Sequence, residues 1–281
     1  MNKESLKYYK RPGFLKIIKE FIRINRIKDT PLAPIHLATC WLRLQFSLKK
    51  NKSPFTERID KIRLYTPSHY DFIELFDEIF LVNAYYIDIS EKIPVIIDCG
   101  GNCGFATIYF KLFSPEAKII TFEPNPEVFK LLRKNIETNN FKNVELVDAA
   151  CGKENSEINF FINEGYSLAS STLLKNSTNT IKVKQICLSD YINSEISLLK
   201  LDVEGAEFDV IKNLITTNKL RLVKRLAIEY HHRLFRNEPL LGSFLKLLEE
   251  NAFDYNLFAY RKNDQFFCRK WQSLMIYAYR V

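Results

Sequence analysis

The 281-residue chain is poor in glycine, with only eight, and has two methionines and two tryptophans. Its six cysteines (Cys40, Cys99, Cys103, Cys151, Cys187 and Cys268) form no C-x-x-C pair, which argues against a zinc site. A chain of this length buries its own core without disulfide staples, so reduced thiols are expected. There is no long apolar run. The N-terminus opens on charged residues, and the longest charge-free stretch near it, Thr30 to Leu42, is 13 residues, too short to cross a bilayer. The expectation is a cytoplasmic protein, neither exported nor transmembrane.

Acidic residues are scarce at one end. Residues 1–63 carry 16 Lys/Arg against 5 Asp/Glu, and residues 64–281 carry 25 against 28, so the net charge of +8 is N-terminal. A reader of phosphates normally carries positive charge on its recognition domain, so the main body is not expected to bind nucleic acid. With 47% apolar and 26% charged residues the composition is that of a folded globular chain.

Residues 14–27, FLKIIKEFIRINRI, form a basic amphipathic helix with Phe14, Ile17, Ile18, Phe21 and Ile24 on one face. Such a helix either packs on the main domain or lies against an anionic membrane, a possible peripheral contact. A second helix is expected over Ile35 to Leu48, followed by the basic connection Lys49-Lys50-Asn51-Lys52. Residues 1–65 are read as a helical appendage and residues 66–281 as the main domain.

From Pro94 the pattern becomes a βαβ series. VIIDCG (95–100), IITFE (119–123), VELVD (144–148), LLKLD (198–202) and LAIEY (226–230) read as strands with helical segments between most of them, which implies a mostly parallel α/β sheet. Asn125-Pro126 starts a helix whose buried stripe is Val128, Leu132 and Ile136. Two aromatic-rich runs, 253–260 and 274–279, read as an antiparallel closing hairpin. Residues 165–180, nine of them Ser, Thr or Asn, read as a loop.

Three of the eight glycines, Gly100, Gly101 and Gly104, follow the first of these strands. Bare backbone there would let main-chain amides approach a ligand at a helix N-terminus. The string lacks the middle glycine of G-x-G-x-x-G, which argues against a standard dinucleotide fingerprint. Glu123 ends the next strand, 25 residues after Asp98, where a carboxylate can accept both ribose hydroxyls of an adenosine-type cofactor. Asp148 could accept from the adenine amino group, with the small Ala149 beside the ring.

Two clusters at strand ends could activate a hydroxyl. Lys200, Asp202 and Glu204 occupy one; the other is Glu229-Tyr230-His231-His232, in which Glu229 and His231 share a face and a Glu-oriented His231 is a candidate general base. Asp202, Glu204 and Glu229 would also suit Mg²⁺, although no metal is assigned.

The strings DCGGNCGF, TFEPNP, DAACG and LKLDVEGAE resemble the motif series of the FkbM family of class I S-adenosylmethionine-dependent methyltransferases, over roughly residues 75–260. The resemblance implies a Rossmann-like sheet and O-methylation of a hydroxyl on a small-molecule or glycan acceptor, with a carbohydrate or glycolipid precursor as the expected class. Carried over by position, Asp98, Gly100, Asn102 and Gly104 would hold the methionine portion of S-adenosylmethionine, Glu123 the ribose and Asp148 the adenine. Gly101, Phe105, Pro124 and Ala149 complete the cofactor set. Gly101 stands where the family more often shows Ala, which should loosen the turn. The alternatives are a nicotinamide-dependent oxidoreductase and a non-catalytic membrane-surface protein with a relic fold.

Overall fold

A computed structural model describes residues 14–46, 53–162, 179–232, 240–259 and 272–281. Its centre is a seven-stranded sheet. Strands β3 (Val95–Cys99), β4 (Lys118–Phe122), β5 (Val144–Val147), β9 (Leu198–Leu201) and β10 (Arg225–His232) run parallel, in the spatial order β10-β9-β3-β4-β5. The closing hairpin, β11 (Phe253–Ala259) and β12 (Gln272–Arg280), docks through its second strand, so β12 lies antiparallel between β10 and β11.

Helices cover both faces. On one lie α4 (Phe105–Phe113) and α5 (Pro126–Thr138), packed in one apolar cluster that includes Ile96, Phe105, Ile108, Leu132 and Ile136. On the other, α6 (Glu207–Thr216) and α7 (Leu241–Glu250) bury Val210, Ile211, Leu214, Phe244 and Leu248. The start of α5 is set locally: the Asn125 side chain accepts from the amides of Glu127 and Val128, and Pro126 has no amide to satisfy.

The N-terminal segment does not stand apart. Helices α1 (Phe14–Ile24) and α2 (Pro34–Phe46), the hairpin β1 (Phe55–Ile59) and β2 (Ile62–Thr66), and α3 (His69–Phe76) contribute Ile24, Leu37, Leu44, Ile59, Leu64 and Phe72 to the same cluster as α4 and α5. A boundary at residue 65 would fall inside β2. Asn135 of α5 keys the hairpin to the sheet: its side chain accepts from the amide of Tyr65 (2.7 Å) and donates to the carbonyls of Tyr65 (2.8 Å) and Cys103 (2.7 Å). On α1, Ile24 is buried and Ile17 and Phe21 are half-buried, but Ile18 is 40% exposed, because the core takes the flank of the helix away from it.

A second sheet, β6 (Ala150–Gly152), β8 (Asn179–Cys187) and β7 (Ser156–Ile162), fills the chain between β5 and β9. Of the loop expected over 165–180, residues 165–178 lie outside the described residues, as do Lys49 to Lys52 and Cys268, while Asn179 and Thr180 begin β8. No described helix is long and apolar enough to cross a membrane.

The chain steps from β3 outward to β4 and β5, then returns to place β9 on the other side of β3. Connections therefore diverge between β3 and β9, which opens a crevice at their carboxyl ends where open α/β sheets bind ligands.

Candidate active site

The turn after β3 and the turn after β9 meet at this crevice. Gly100 (φ +82°) lies so close to β9 that a Cβ would stand 1.9 Å from the carbonyl oxygen of Asp202, and the amide of Asp202 donates to Cys99 (3.1 Å). Gly104 (φ +85°) caps α4 against Leu132. At Gly101 a Cβ would lie 2.1 Å from Cγ2 of Thr121, so glycine makes room for a branched neighbour on β4 and does not loosen the turn.

The glycines serve approach between segments more than exposure of amides. The amides of Gly100 and Gly101 both donate to the Phe122 carbonyl (3.0 and 2.8 Å), that of Cys103 to the Asn102 side chain (2.7 Å), and that of Gly104 to Gly101 (2.8 Å). The amide of Asn102 donates to Glu123 (2.9 Å). All five are spent inside the protein, contrary to the expectation that they face a ligand. What remains beside the turn is the N-terminus of α4, where helix amides lack intrahelical partners.

Glu123 is buried and turned toward the turn, accepting the amides of Asn102 (2.9 Å) and Asn125 (2.8 Å), one on each oxygen. Burial pushes its carboxyl up to about 7, against the pull of the two amides and of Lys200. Each oxygen keeps a further lone pair for an incoming hydroxyl. Asp148 is exposed beyond β5, while Ala149 is fully buried and Pro124 half-buried.

Asp98 is fully buried behind the turn. One of its oxygens accepts from Thr107 Oγ1 (2.6 Å), and the other faces Lys200 Nζ (3.2 Å). Lys200 also donates to the Gly100 carbonyl (2.6 Å) and lies 3.5 Å from Asp202. Burial works against the Lys200 charge, but Asp98 and Asp202 outweigh it and hold the ammonium above its usual range. Asp98 thus braces the turn through Lys200 instead of offering a free carboxylate to the methionine portion. The Phe105 ring packs edge-on to Phe72 (centroids 5.2 Å apart) in the core.

At the end of β10 the geometry departs from the Glu229-oriented histidine. His231 Nδ1 lies 2.9 Å from Glu207, and Nε2 is 3.4 Å from Glu204 but 3.9 Å from Glu229. Glu207 also accepts the amides of Gly205 (2.9 Å) and Val203 (3.4 Å), so it ties the turn after β9 to β10. Burial alone would lower the imidazole, but Glu207, then Glu204 and Glu229, overcome it and raise His231 well above its ordinary range. Glu207 at Nδ1 and Glu204 beside Nε2 thus favour the protonated ring over the neutral one.

The groups that reach the crevice are carboxylates. Side chains of Asp202, Glu204 and Glu229 are 23%, 26% and 17% exposed, against 4% for His231. Tyr85 Oη sits 3.3 Å from Asp202 and 3.5 Å from Glu229, and Ser273 donates to Glu229. Burial, then Asp202, raises Glu229; burial raises Glu204 to about 8. Asp202, Glu229 and His231 each bring a potential metal-ligand atom within 4.8 Å of the others.

Tyr85, Glu207 and Ser273 are additions that sequence reasoning missed. Glu207 was visible as the last residue of LKLDVEGAE, where it reads equally as a favourable first-turn acid of α6.

Residues 98–255, more than half of the chain, match the model of the Methyltransferase FkbM domain. The chain belongs to the FkbM methyltransferase family. By family it is an S-adenosylmethionine-dependent methyltransferase, and the nicotinamide alternative falls with that membership. Similar to this FkbM chain are Methyltransferase 1 of Beauveria bassiana (28% identical over 164 residues, 49% of this chain and 65% of that one) and methyltransferase sdnD of Sordaria araneosa (26% over 232 residues, 69% and 87%). Hexuronic acid methyltransferase AglP of Haloferax volcanii is 27% identical over 149 residues, 52% of this chain and 59% of that one. The chain thus spans less than two thirds of two of these three relatives. Among solved structures, M. jannaschii TYW2 in complex with AdoMet overlays with a TM-score of 0.46 at 15% identity, covering 83% of this chain and 89% of that one.

The FkbM site fits its cofactor on its own chemistry. A buried carboxylate with spare lone pairs, beside a turn that a Cβ would fill, suits a ribose, and the acidic crevice suits a cationic sulfonium.

Proposed function

We propose that this FkbM methyltransferase methylates a hydroxyl of a neutral carbohydrate or glycolipid precursor, with Glu123 holding the cofactor ribose and Glu229 taking the acceptor proton. The observation that carries the reading is the crevice itself: the acidic side chains of Asp202, Glu204 and Glu229 reach it, flanked by the hydroxyls of Tyr85 and Ser273, while Lys200 is shared between Asp98 and Asp202 and His231 is held by Glu207. Carboxylates accept hydrogen bonds from sugar hydroxyls and repel anionic acceptors. The name of the Haloferax relative supports a sugar acceptor, although a uronate would meet like charge here.

Bound S-adenosylmethionine supplies an electrophilic methyl group. Asp202 and Glu229 orient the acceptor oxygen, and positioning of this kind is worth up to about 7 to 11 kcal/mol. Glu229 would take the proton of the acceptor hydroxyl as the oxygen is methylated. A carboxyl raised by burial is a stronger proton acceptor than a free one, and His231 beneath it limits the rise. Tyr85, raised by burial and then by Asp202, stays a donor shared between the two carboxylates.

The test is formation of S-adenosylhomocysteine with a panel of neutral glycans, uronates and glycolipids. Turnover on neutral hydroxylated acceptors is expected. Turnover confined to amines, or to anionic acceptors, would contradict the reading.

A further inference from the structure

Helix α1 has more apolar surface than the core uses. Ile17, Phe21 and Ile24 face inward, yet Leu15 (73% exposed), Ile18 (40%) and Ile22 (46%) form a second stripe at i, i+3 and i+7 that points outward. Beside it run Lys16, Lys19, Arg23 and, just past the helix, Arg26, all exposed, at i, i+3, i+7 and i+10. Among these the only acid is Glu20, which pairs with Arg23 at 2.7 Å. An exposed apolar row costs solvation wherever it faces water, and three faces on one helix (core, apolar, basic) is the pattern of a segment that packs on its own domain and against something else.

We infer that this outer face of α1 seats the protein on an anionic membrane surface. Charge selects the occupant: the basic row lies within residues 1–63, which carry 16 Lys/Arg against 5 Asp/Glu, a balance that complements anionic headgroups and would repel a second copy of the same face. Leu15, Ile18 and Ile22 enter the boundary between headgroups and acyl chains, and Lys16, Lys19, Arg23 and Arg26 meet the phosphates. The inference is independent of the acceptor, since none of these residues lies at the crevice.

The test sediments the full chain with vesicles of phosphatidylcholine alone and with phosphatidylglycerol added. Binding is expected only to the anionic vesicles, weakened by salt. Lys19→Glu with Arg23→Glu should reduce it by at least about 25-fold, the roughly fivefold contribution of each of the two lost basic residues near a surface. Ile18→Asp with Ile22→Asp should abolish it, with S-adenosylhomocysteine affinity unchanged. Should that pair unfold the helix, Leu15→Ser, at the most exposed position, reads out the same loss. Equal sedimentation with neutral vesicles, binding that survives the charge reversal, or a dimer that Ile18→Asp with Ile22→Asp breaks while vesicles go unbound would each overturn the inference.

Discussion

Gly100 and Asp202 approach until a Cβ on the first would stand 1.9 Å from the carbonyl oxygen of the second. The contact joins the turns after β3 and β9, and with them the two halves of the site. Alanine at 100 meets a backbone oxygen that cannot rotate away and must also adopt φ +82°. Gly100→Ala is expected to cost about 3 kcal/mol or more, read as a lower denaturation midpoint, and to remove cofactor binding.

Gly101 makes a subtler case. Its φ is ordinary, and its close neighbour is the Thr121 methyl at 2.1 Å from an added Cβ. Gly101→Ala alone should cost about 1 to 3 kcal/mol by overpacking. Adding Thr121→Ser removes the methyl but keeps the hydroxyl that bonds Thr107 (3.0 Å), so the pair should recover most of the loss in a double-mutant cycle. Additive losses would mean the turn resists alanine for another reason.

Asn135 measures how far residues 55–66 belong to the catalytic domain. Truncation to Ala leaves the Tyr65 amide and two carbonyls without their partner and should cost about 2 to 4 kcal/mol in a single cooperative transition. A separate early transition of the N-terminal segment would show that it folds by itself.

The five parallel strands, the capped start of α5 and the glycine turn were legible because each rests on local chemistry: apolar runs, Asn125-Pro126, three clustered glycines. What the turn's amides do was not legible. Their partners, Phe122 and Glu123, are on the next strand, and only the register of β3 on β4 brings them together. Likewise Tyr85 reaches Asp202 and Glu229 across 117 and 144 residues, and Glu207 reaches His231 across 24, contacts that no spacing rule encodes. The same blindness affected α1, whose buried stripe includes Phe21 and Ile24 but leaves Ile18 outside, because two apolar stripes overlap in one sequence pattern.

Glu229 and His231 play different parts in moving the proton. Glu229→Gln should lower turnover by roughly 10² to 10⁴ with S-adenosylhomocysteine affinity retained. His231→Gln removes the cation beneath the carboxylates and should move the acid limb of the pH–rate profile upward, since Glu204 and Glu229 lose the charge that lowers them. A loss of turnover in His231→Gln as deep as that in Glu229→Gln, with the acid limb of the residual activity unshifted, would return the base role to the histidine.

The most direct test of the cofactor site is calorimetry of S-adenosylhomocysteine on the wild type and on Glu123→Gln across pH. Two ribose hydroxyls need an ionised carboxylate, and burial holds Glu123 at about 7. Wild-type affinity should therefore weaken as pH falls through 7, by up to tenfold per unit. Glu123→Gln should bind roughly 10- to 150-fold more weakly, as expected for charge-assisted hydrogen bonds worth about 1.5 to 3 kcal/mol, and lose that pH dependence. Equal affinity in both proteins, flat with pH, would contradict the assignment of Glu123 to the ribose and with it the site.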